Sequence, residues 1–276
     1  MATYIGISGW TYAPWRGDFY PKGLPQRREL EHAASQLTSI EVNGSFYSLQ
    51  RPSSYAAWAK ETPEDFVFAV KGSRFITHML KLGGVDVALA NFFASGPLAL
   101  GSKLGPILWQ LPETHRFDAD RLARFFERLP RTTQEVARLA EGHDGHLRGD
   151  RALTTASVDQ AVRHALEFRS PTFDTDEARA VMRDHDIATV LADTAGRWPR
   201  VEADTSDFRY VRLHGDQELY TSGYSLKALD DWAARIRGWA DAGQDVYCYF
   251  DNDAKGFAPH DAVALLARLG VTPSPA

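Results

Sequence analysis

A strand pattern that ends in polar residues recurs along this chain and constrains its fold more than any other feature. In residues 39–43 apolar and polar side chains alternate, so Glu41 and Asn43 share one face of a predicted strand. Residues 166–169 and 211–214 repeat this arrangement. In a closed parallel barrel one strand face packs under helices and the other points inward, with catalytic groups at the carboxyl ends of the strands. The repeat therefore predicts a barrel with polar groups at one end.

Eight such strands alternate with helical patterns, which is the count of a TIM barrel. The predicted strands are residues 4–8, 39–43, 66–71, 105–112, 165–169, 187–193, 208–214 and 245–250. The alternative is an open, doubly wound sheet. The segment from Gly6 to Trp10 lacks the third glycine and the helix start of a dinucleotide-binding fingerprint. We therefore predict a single (β/α)8 barrel domain over residues 1–276.

Two segments depart from a regular strand–helix repeat. Only about fifteen residues separate the sixth and seventh strands, and they include Trp198 and Pro199, so helix six is predicted to be short or absent. Residues 142–156 are polar and glycine-rich and predict a surface insertion before strand five. Its histidines and aspartates at 143, 144, 146 and 150 are either metal ligands or, as we favour, a solvated loop. The aromatic loop after strand one, residues 9–21, either forms a platform for a ligand or packs over the end of the barrel.

Charge and cysteine content limit the class of protein. The net charge of −5 and the pI near 6.0 indicate no surface that binds nucleic acid or a membrane. These totals do not exclude a local basic cleft. The single Cys248 lies in an apolar run and excludes a disulfide within the chain. Because residues 1–6 begin a strand directly, we expect no leader, and no apolar run approaches the ~18 residues of a membrane span. We expect a cytoplasmic protein; the oligomeric state is not determined by these features.

Seven motifs in order along the chain resemble those of the YecE-like proteins, a family classed as a domain of unknown function. They are the run from Gly6 to Pro21, Glu41-Val42-Asn43 with Phe46-Tyr47, Lys71 to His78, Leu104-Gly105-Pro106 with Gln110-Leu111-Pro112, Glu167-Phe168-Arg169, Tyr210 to Gly215, and Tyr249 to Asp253. The resemblance implies a TIM barrel and implies no particular activity. The chain departs from the family pattern in residues 142–156 and at Ser170-Pro171, where the family usually has a histidine.

The polar residues at and after the strand ends form the predicted site. Burying ion pairs costs several kcal/mol per ion, so stability alone is a poor reason for so many of them. We favour a functional site over the alternative, an ion-pair network that cross-links the barrel. The catalytic candidates are Glu41, Glu167 and His214, and the substrate-binding candidates are Trp10, Asn43, Lys71, Arg74, His78, Gln110, Arg169, Asp193, Arg212 and Asn252.

The residue types in this set predict an enzyme that binds a small polar anion, such as a phosphorylated sugar or a nucleotide. Lys71, Arg74, Arg169 and Arg212 supply cations, Glu41 or Glu167 is the candidate general base, and His214 is the candidate general acid. Hydrolysis, isomerisation and lyase chemistry all use these groups. The sequence requires no cofactor.

Two other functions stay open from the sequence. A metal-dependent phosphodiesterase or isomerase would use Glu41, Glu167, Asp193 and His214 as ligands, although nearby cations would compete for the carboxylates. A non-catalytic ligand-binding or scaffold protein would use the same groups to retain its ligand unchanged.

Overall fold

Eight parallel strands form a closed barrel in the order of the sequence. The computed structural model describes residues 1–275. The strands are β1 (Thr3–Ser8), β2 (Ser39–Val42), β3 (Val67–Lys71), β4 (Leu104–Gln110), β5 (His164–Glu167), β6 (Ile187–Asp193), β7 (Phe208–Leu213) and β8 (Asp245–Phe250). The predicted (β/α)8 TIM barrel is confirmed.

Helices follow most strands. They are α1 (Glu29–Ala34), α2 (Gly44–Tyr47), α3 (Pro52–Lys60), α4 (Asp86–Ala94), α5 (Ala119–Phe126), α6 (Thr133–Ala140), α7 (Asp176–Asp184), α8 (Leu226–Asp241) and α9 (Phe257–Leu269). Residues 194–207, all of which are described, contain turns but no helix, so the predicted absence of helix six is confirmed. Helix α9 begins directly after Gly256, which adopts the left-handed conformation.

By the density of their contacts the residues group into two compact units. The first unit comprises residues 1–41, 61–67 and 188 onward, and the second comprises residues 42–60 and 68–187.

In the first unit β1 pairs with β2 on one side and with β8 on the other, and β7 joins β8 to β6. Ile5 and Ile7 of β1 are fully buried, as their alternation predicts. The Ser225 side chain caps α8 by accepting a hydrogen bond from the backbone N–H of Ala228. Helices α8 and α9 pack on each other, and α9 also packs on β1.

Gly6 is the residue in β1 that permits close pairing with β2. A Cβ atom at this position would lie 1.9 Å from the backbone oxygen of Ser39. Any larger residue would therefore force the two strands apart.

The second unit contains β4 paired with β3 and β5, and its core is centred on Trp109 of β4. The Trp109 ring packs against Phe92 of α4 and Phe125 of α5. Its Nε1 donates to Nδ1 of the fully buried His164, at 3.2 Å, and Nε2 of His164 donates to the carbonyl of Pro130 at 2.7 Å. Burial lowers the pKa of His164 to about 3, so this imidazole is neutral.

The aromatic loop after β1 packs into the first unit. Trp15 and Tyr20 are buried, and Nε1 of Trp15 donates to the carbonyl of Asp253. Of the two alternatives for this loop, packing accounts for these two rings.

The insertion at residues 142–156 is attached to the second unit. Leu147 is buried, and the backbone N–H of Leu153 donates to the carbonyl of Ala94 at the end of α4. Within residues 1–275, no helix combines the length and the apolar character needed to cross a bilayer.

Candidate functional site

Glu41, the next-to-last residue of β2, is fully buried and has both carboxylate oxygens hydrogen-bonded. Its Oε1 accepts from Oγ of Ser8 at 2.9 Å and from Nη2 of Arg212 at 2.8 Å. Its Oε2 accepts from Oη of Tyr210 at 2.6 Å and from Nε of Arg212 at 3.1 Å. The guanidinium thus binds the carboxylate through two nitrogens, the geometry of the strongest ion pairs.

Arg212 also connects this pair to an aspartate and a histidine. Its Nη2 lies 3.1 Å from Oδ2 of Asp251, the residue that follows β8. The same carboxylate oxygen lies 2.9 Å from Nδ1 of His214, the residue that follows β7. This second contact has the distance of an ion pair but is not aligned as a hydrogen bond. We call Ser8, Glu41, Tyr210, Arg212, His214 and Asp251 the Arg212 cluster.

Two further carboxylates of the first unit lie in partly buried positions. Burial raises the pKa of Asp253, and the neighbouring charge of Asp251 raises it further. Burial also raises the pKa of Asp193, the last residue of β6, whose Oδ2 accepts from Oη of Tyr224 at 3.3 Å. Both acids therefore retain protons to a higher pH than an exposed aspartate does.

The predicted residues Trp10 and Asn252 have structural contacts in the first unit. The backbone carbonyl of Trp10 accepts from Oη of Tyr20 at 2.6 Å. The buried Asn252 side chain donates to the carbonyl of Ser222 and to Oδ2 of Asp261, at 2.9 and 2.8 Å. These bonds tie the loop after β8 to the start of α9 and to the loop after β7.

In the second unit a carboxylate and an amide end adjacent strands. Glu167, the last residue of β5, is buried, and its Oε1 accepts from Nε2 of Gln110, the last residue of β4, at 3.0 Å. The same oxygen accepts from Nε of Arg169 at 3.3 Å. Glu167 therefore pairs with Arg169, and Gln110 is an additional donor to the same oxygen.

Cations surround a neutral histidine in the same unit. Lys71, the last residue of β3, is 7% exposed, and its Nζ lies 4.4 Å from the centre of the Phe46 ring. His78 packs edge-on against the same ring, and its Nδ1 is 2.9 Å from Oγ1 of Thr77. Its pKa is lowered to about 4, first by burial and then by the charges of Lys71, Arg169 and Arg74.

The charges of Lys71, Arg169 and Arg74 give this part of the unit a positive potential, which adds to the effect of burial on the pKa of His78. Arg74, which is exposed, lies in the loop that leads from β3 to His78. Asn43, which precedes α2, has a buried Oδ1 that accepts no hydrogen bond from residues 1–275. We call Lys71, Arg74, His78, Gln110, Glu167 and Arg169 the Lys71 cluster.

Three members of the Arg212 cluster are not among the site residues predicted from the sequence. Ser8 is the last residue of β1, Asp251 follows β8, and Tyr210 precedes Arg212 by two residues and so shares its face of β7. The pattern that identified the other candidates, polar side chains at or near the carboxyl ends of strands, therefore includes these three residues as well.

Ser170 and Pro171, where the chain departs from the family pattern, form a short turn. The Ser170 side chain accepts from the backbone N–H of Thr172 at the start of this turn. Within residues 1–275, no three His, Cys, Asp or Glu side chains are grouped as a metal ion would require.

The closed parallel barrel and the polar side chains at its strand ends define a TIM-barrel protein with candidate functional groups in the position typical of this fold. Residues 4–276 match the family model described as a protein of unknown function, DUF72. The chain belongs to this family, and the resemblance to YecE-like proteins is confirmed.

Relatives in two bacteria support this assignment. The chain is 25% identical over 301 residues to the UPF0759 protein YunF of Bacillus subtilis. This alignment covers 97% of this chain and 95% of YunF. It is 30% identical over 112 residues to the UPF0759 protein YecE of Escherichia coli, covering 40% of this chain and 38% of that protein.

Solved structures of the same family share the fold. A DUF72 family protein from Thermotoga maritima superposes with a TM-score of 0.76 at 24% identity, covering 98% of this chain and 100% of that chain. A DUF72 family protein from Enterococcus faecalis superposes with a TM-score of 0.72 at 15% identity, covering 99% of this chain and 97% of that chain.

Proposed function

We propose that this protein is an enzyme that acts on a small polar anion, such as a phosphorylated sugar or a nucleotide, and that the Lys71 cluster binds the anion. The observation that supports this most directly is the surplus of positive charge in the cluster. Lys71, Arg74 and Arg169 together outnumber the single carboxylate of Glu167, and their charges contribute to the low pKa of His78.

Partial burial strengthens the attraction of these cations for an anion. Lys71 is almost completely buried and Arg169 is 20% exposed at its side chain, so both are largely withdrawn from water. Charge-assisted hydrogen bonds are roughly twice as strong as neutral ones, and a guanidinium matches the geometry of a phosphate or carboxylate. Arg212 of the first unit differs because it already binds Glu41 through two nitrogens.

Glu167 is the general base that this proposal favours. It lies in the Lys71 cluster, and Gln110 and Arg169 fix the position of its Oε1. Glu41 is less suited to proton transfer because each of its oxygens already accepts two hydrogen bonds. His78, with its pKa of about 4, is neutral near pH 7 and suits hydrogen bonding to the substrate rather than charge neutralisation.

His214 remains our candidate for the general acid, and its contact with Asp251 supports this role. A carboxylate beside an imidazole orients the ring, as in the acid–base dyads of many enzymes. Hydrolysis, isomerisation and lyase chemistry are the reaction classes that such groups serve.

Thermal unfolding with added anions tests the binding step. At constant ionic strength we expect phosphate, sulfate or sugar phosphates to raise the melting temperature more than chloride does. The Lys71→Met variant should lose this response, while Lys60→Met, which changes an exposed lysine at the end of α3, should keep it. If no oxyanion stabilises the native protein beyond chloride, the proposal is wrong.

A further inference from the structure

A cavity of about 540 Å³ in the second unit is lined by residues that belong to neither the Arg212 cluster nor the Lys71 cluster. Its volume is within the range of small-molecule sites, which is about 300–1,000 Å³. Tyr47, Phe75 and Val87 line it, and their side chains are 71%, 46% and 50% exposed. Large apolar side chains gathered around one exposed cavity are typical of a surface that a ligand covers.

The cavity also has a polar wall, formed by α4 and the insertion at residues 142–156. Oδ1 of Asp144 accepts from Nδ2 of Asn91 at 3.2 Å, and from the backbone N–H and Nδ1 of His146 at 2.9 and 2.8 Å. The backbone N–H of Asp144 donates to Oδ1 of Asn91 at 3.0 Å. All three residues line the cavity, so the insertion is held in place as part of its wall.

The other oxygen of this carboxylate is available to a ligand. Among residues 1–275, every hydrogen bond that the Asp144 carboxylate accepts is on Oδ1, and none is on Oδ2. The hydrogen bonds from His146, its backbone N–H first, hold the pKa of Asp144 below its usual value, so the group is ionised near pH 7. An ionised carboxylate only accepts hydrogen bonds, so this wall selects a ligand that carries an N–H or O–H donor.

The cavity and the Lys71 cluster share two segments of the chain. In the segment after β3, which includes the π-helical turn Phe75–Met79, Ser73, Phe75 and Ile76 line the cavity, whereas Arg74 and His78 belong to the cluster. In α2 the Phe46 ring lies under Nζ of Lys71, and the adjacent Tyr47 ring, whose centre is 5.1 Å from that of Phe46, lines the cavity. The same two segments therefore contribute residues both to the cationic cluster and to the aromatic wall of the cavity.

We propose that this cavity binds the base of a nucleoside phosphate, that Asp144 accepts a hydrogen bond from an N–H group of the base, and that the Lys71 cluster holds the phosphate. The inference rests on the proposed anion site and narrows its substrate class. A planar base covers apolar walls that include Tyr47 and Phe75 and also presents N–H groups to Asp144, whereas the hydroxyl groups of a sugar phosphate would use only the carboxylate.

Calorimetric titration with four phosphate compounds tests this assignment. The probes are inorganic phosphate, ribose 5-phosphate, phenyl phosphate and adenosine 5′-monophosphate. Asp144→Asn keeps the shape of the side chain and one acceptor oxygen but exchanges the other for a donor. Asp150→Asn is the matched control, because Asp150 is exposed in the same insertion and does not line the cavity.

We expect the native protein to bind the adenine nucleotide and phenyl phosphate more tightly than ribose 5-phosphate. Asp144→Asn should weaken the adenine nucleotide about tenfold or more, since a hydrogen bond to a charged group is lost, and should leave phenyl phosphate unchanged. Tyr47→Ala should weaken both aromatic compounds and leave inorganic phosphate unchanged. Asp150→Asn should change none of these affinities.

Two results overturn the inference in distinguishable ways. If ribose 5-phosphate binds as tightly as the nucleotide, or Asp144→Asn behaves like Asp150→Asn, the base site is wrong and the anion site stands. If no phosphate compound binds, the anion site itself is wrong. A titration with adenosine then tests the base site independently of the anion site. Adenosine binding that depends on Asp144 would support the base site, and the absence of adenosine binding would show that the base site is wrong as well.

Discussion

Replacing Glu41 by glutamine should destabilise the protein substantially, because the carboxylate satisfies a buried guanidinium. Glu41 and Arg212 are both fully buried, and four hydrogen bonds converge on the two carboxylate oxygens. A glutamine amide replaces one oxygen by an NH₂ group, so two of the four donors would then face another donor. The variant also leaves the charge of Arg212 without its bidentate partner.

The size of the effect follows from this geometry. Removing one partner of a buried ion pair costs roughly 3–5 kcal/mol. Arg212 keeps its 3.1 Å contact with Asp251, so we expect a loss of about 3 kcal/mol, the lower end of that range. With an unfolding entropy of about 2.1 cal/mol/K per residue over the chain, this corresponds to a fall of about 5 °C in melting temperature.

Thermal unfolding of purified variants measures this effect directly. Glu31→Gln is the matched control, because Glu31 pairs with Arg28 at the surface, where an ion pair contributes about 1 kcal/mol or less. The Glu41→Gln, Arg212→Met double variant removes both charges and should recover part of the loss. A melting temperature for Glu41→Gln equal to that of Glu31→Gln would refute the reasoning and return Glu41 to the list of catalytic candidates.

Four further predictions concern stability and turnover. Gly6→Ala should cost roughly 3 kcal/mol or more, seen as a lower melting temperature or loss of folded protein, because its Cβ would overlap the Ser39 carbonyl. His164 is neutral when folded, with a pKa of about 3, but protonates near pH 6.5 when unfolded, so stability should fall with decreasing pH. This residue should account for a loss of about 2 kcal/mol between pH 6.5 and pH 5, and urea midpoints at the two pH values should show a smaller loss for His164→Asn. His214→Asn should abolish turnover of an anion identified by the binding test while the melting temperature stays near that of the native protein; retained turnover would remove it as the acid. Glu167→Gln should likewise abolish turnover, whereas a stability loss of roughly 3–5 kcal/mol with turnover intact would assign Glu167 to an ion-pair network.

The strand ends show how far a local pattern predicts a site. Alternation along a strand fixes which side chains share a face, and for this reason Glu41, Lys71, Glu167 and Arg212 were placed at strand ends from the sequence. Alternation does not state which partner each side chain meets. The bond between Tyr210 and Glu41 joins residues 169 positions apart, and no local pattern contains that information.

By itself the sequence determined the eight strand–helix repeats, the missing helix after β6 and the polar residues at the strand ends, because each depends on periodicity and local chain geometry. Only the tertiary structure decided that Arg212 binds Glu41, that burial and nearby cations lower the pKa of His78, and that the insertion forms part of the wall of a cavity. These outcomes depend on distances and burial, which arise when segments distant in the chain pack together and exclude water from the groups between them.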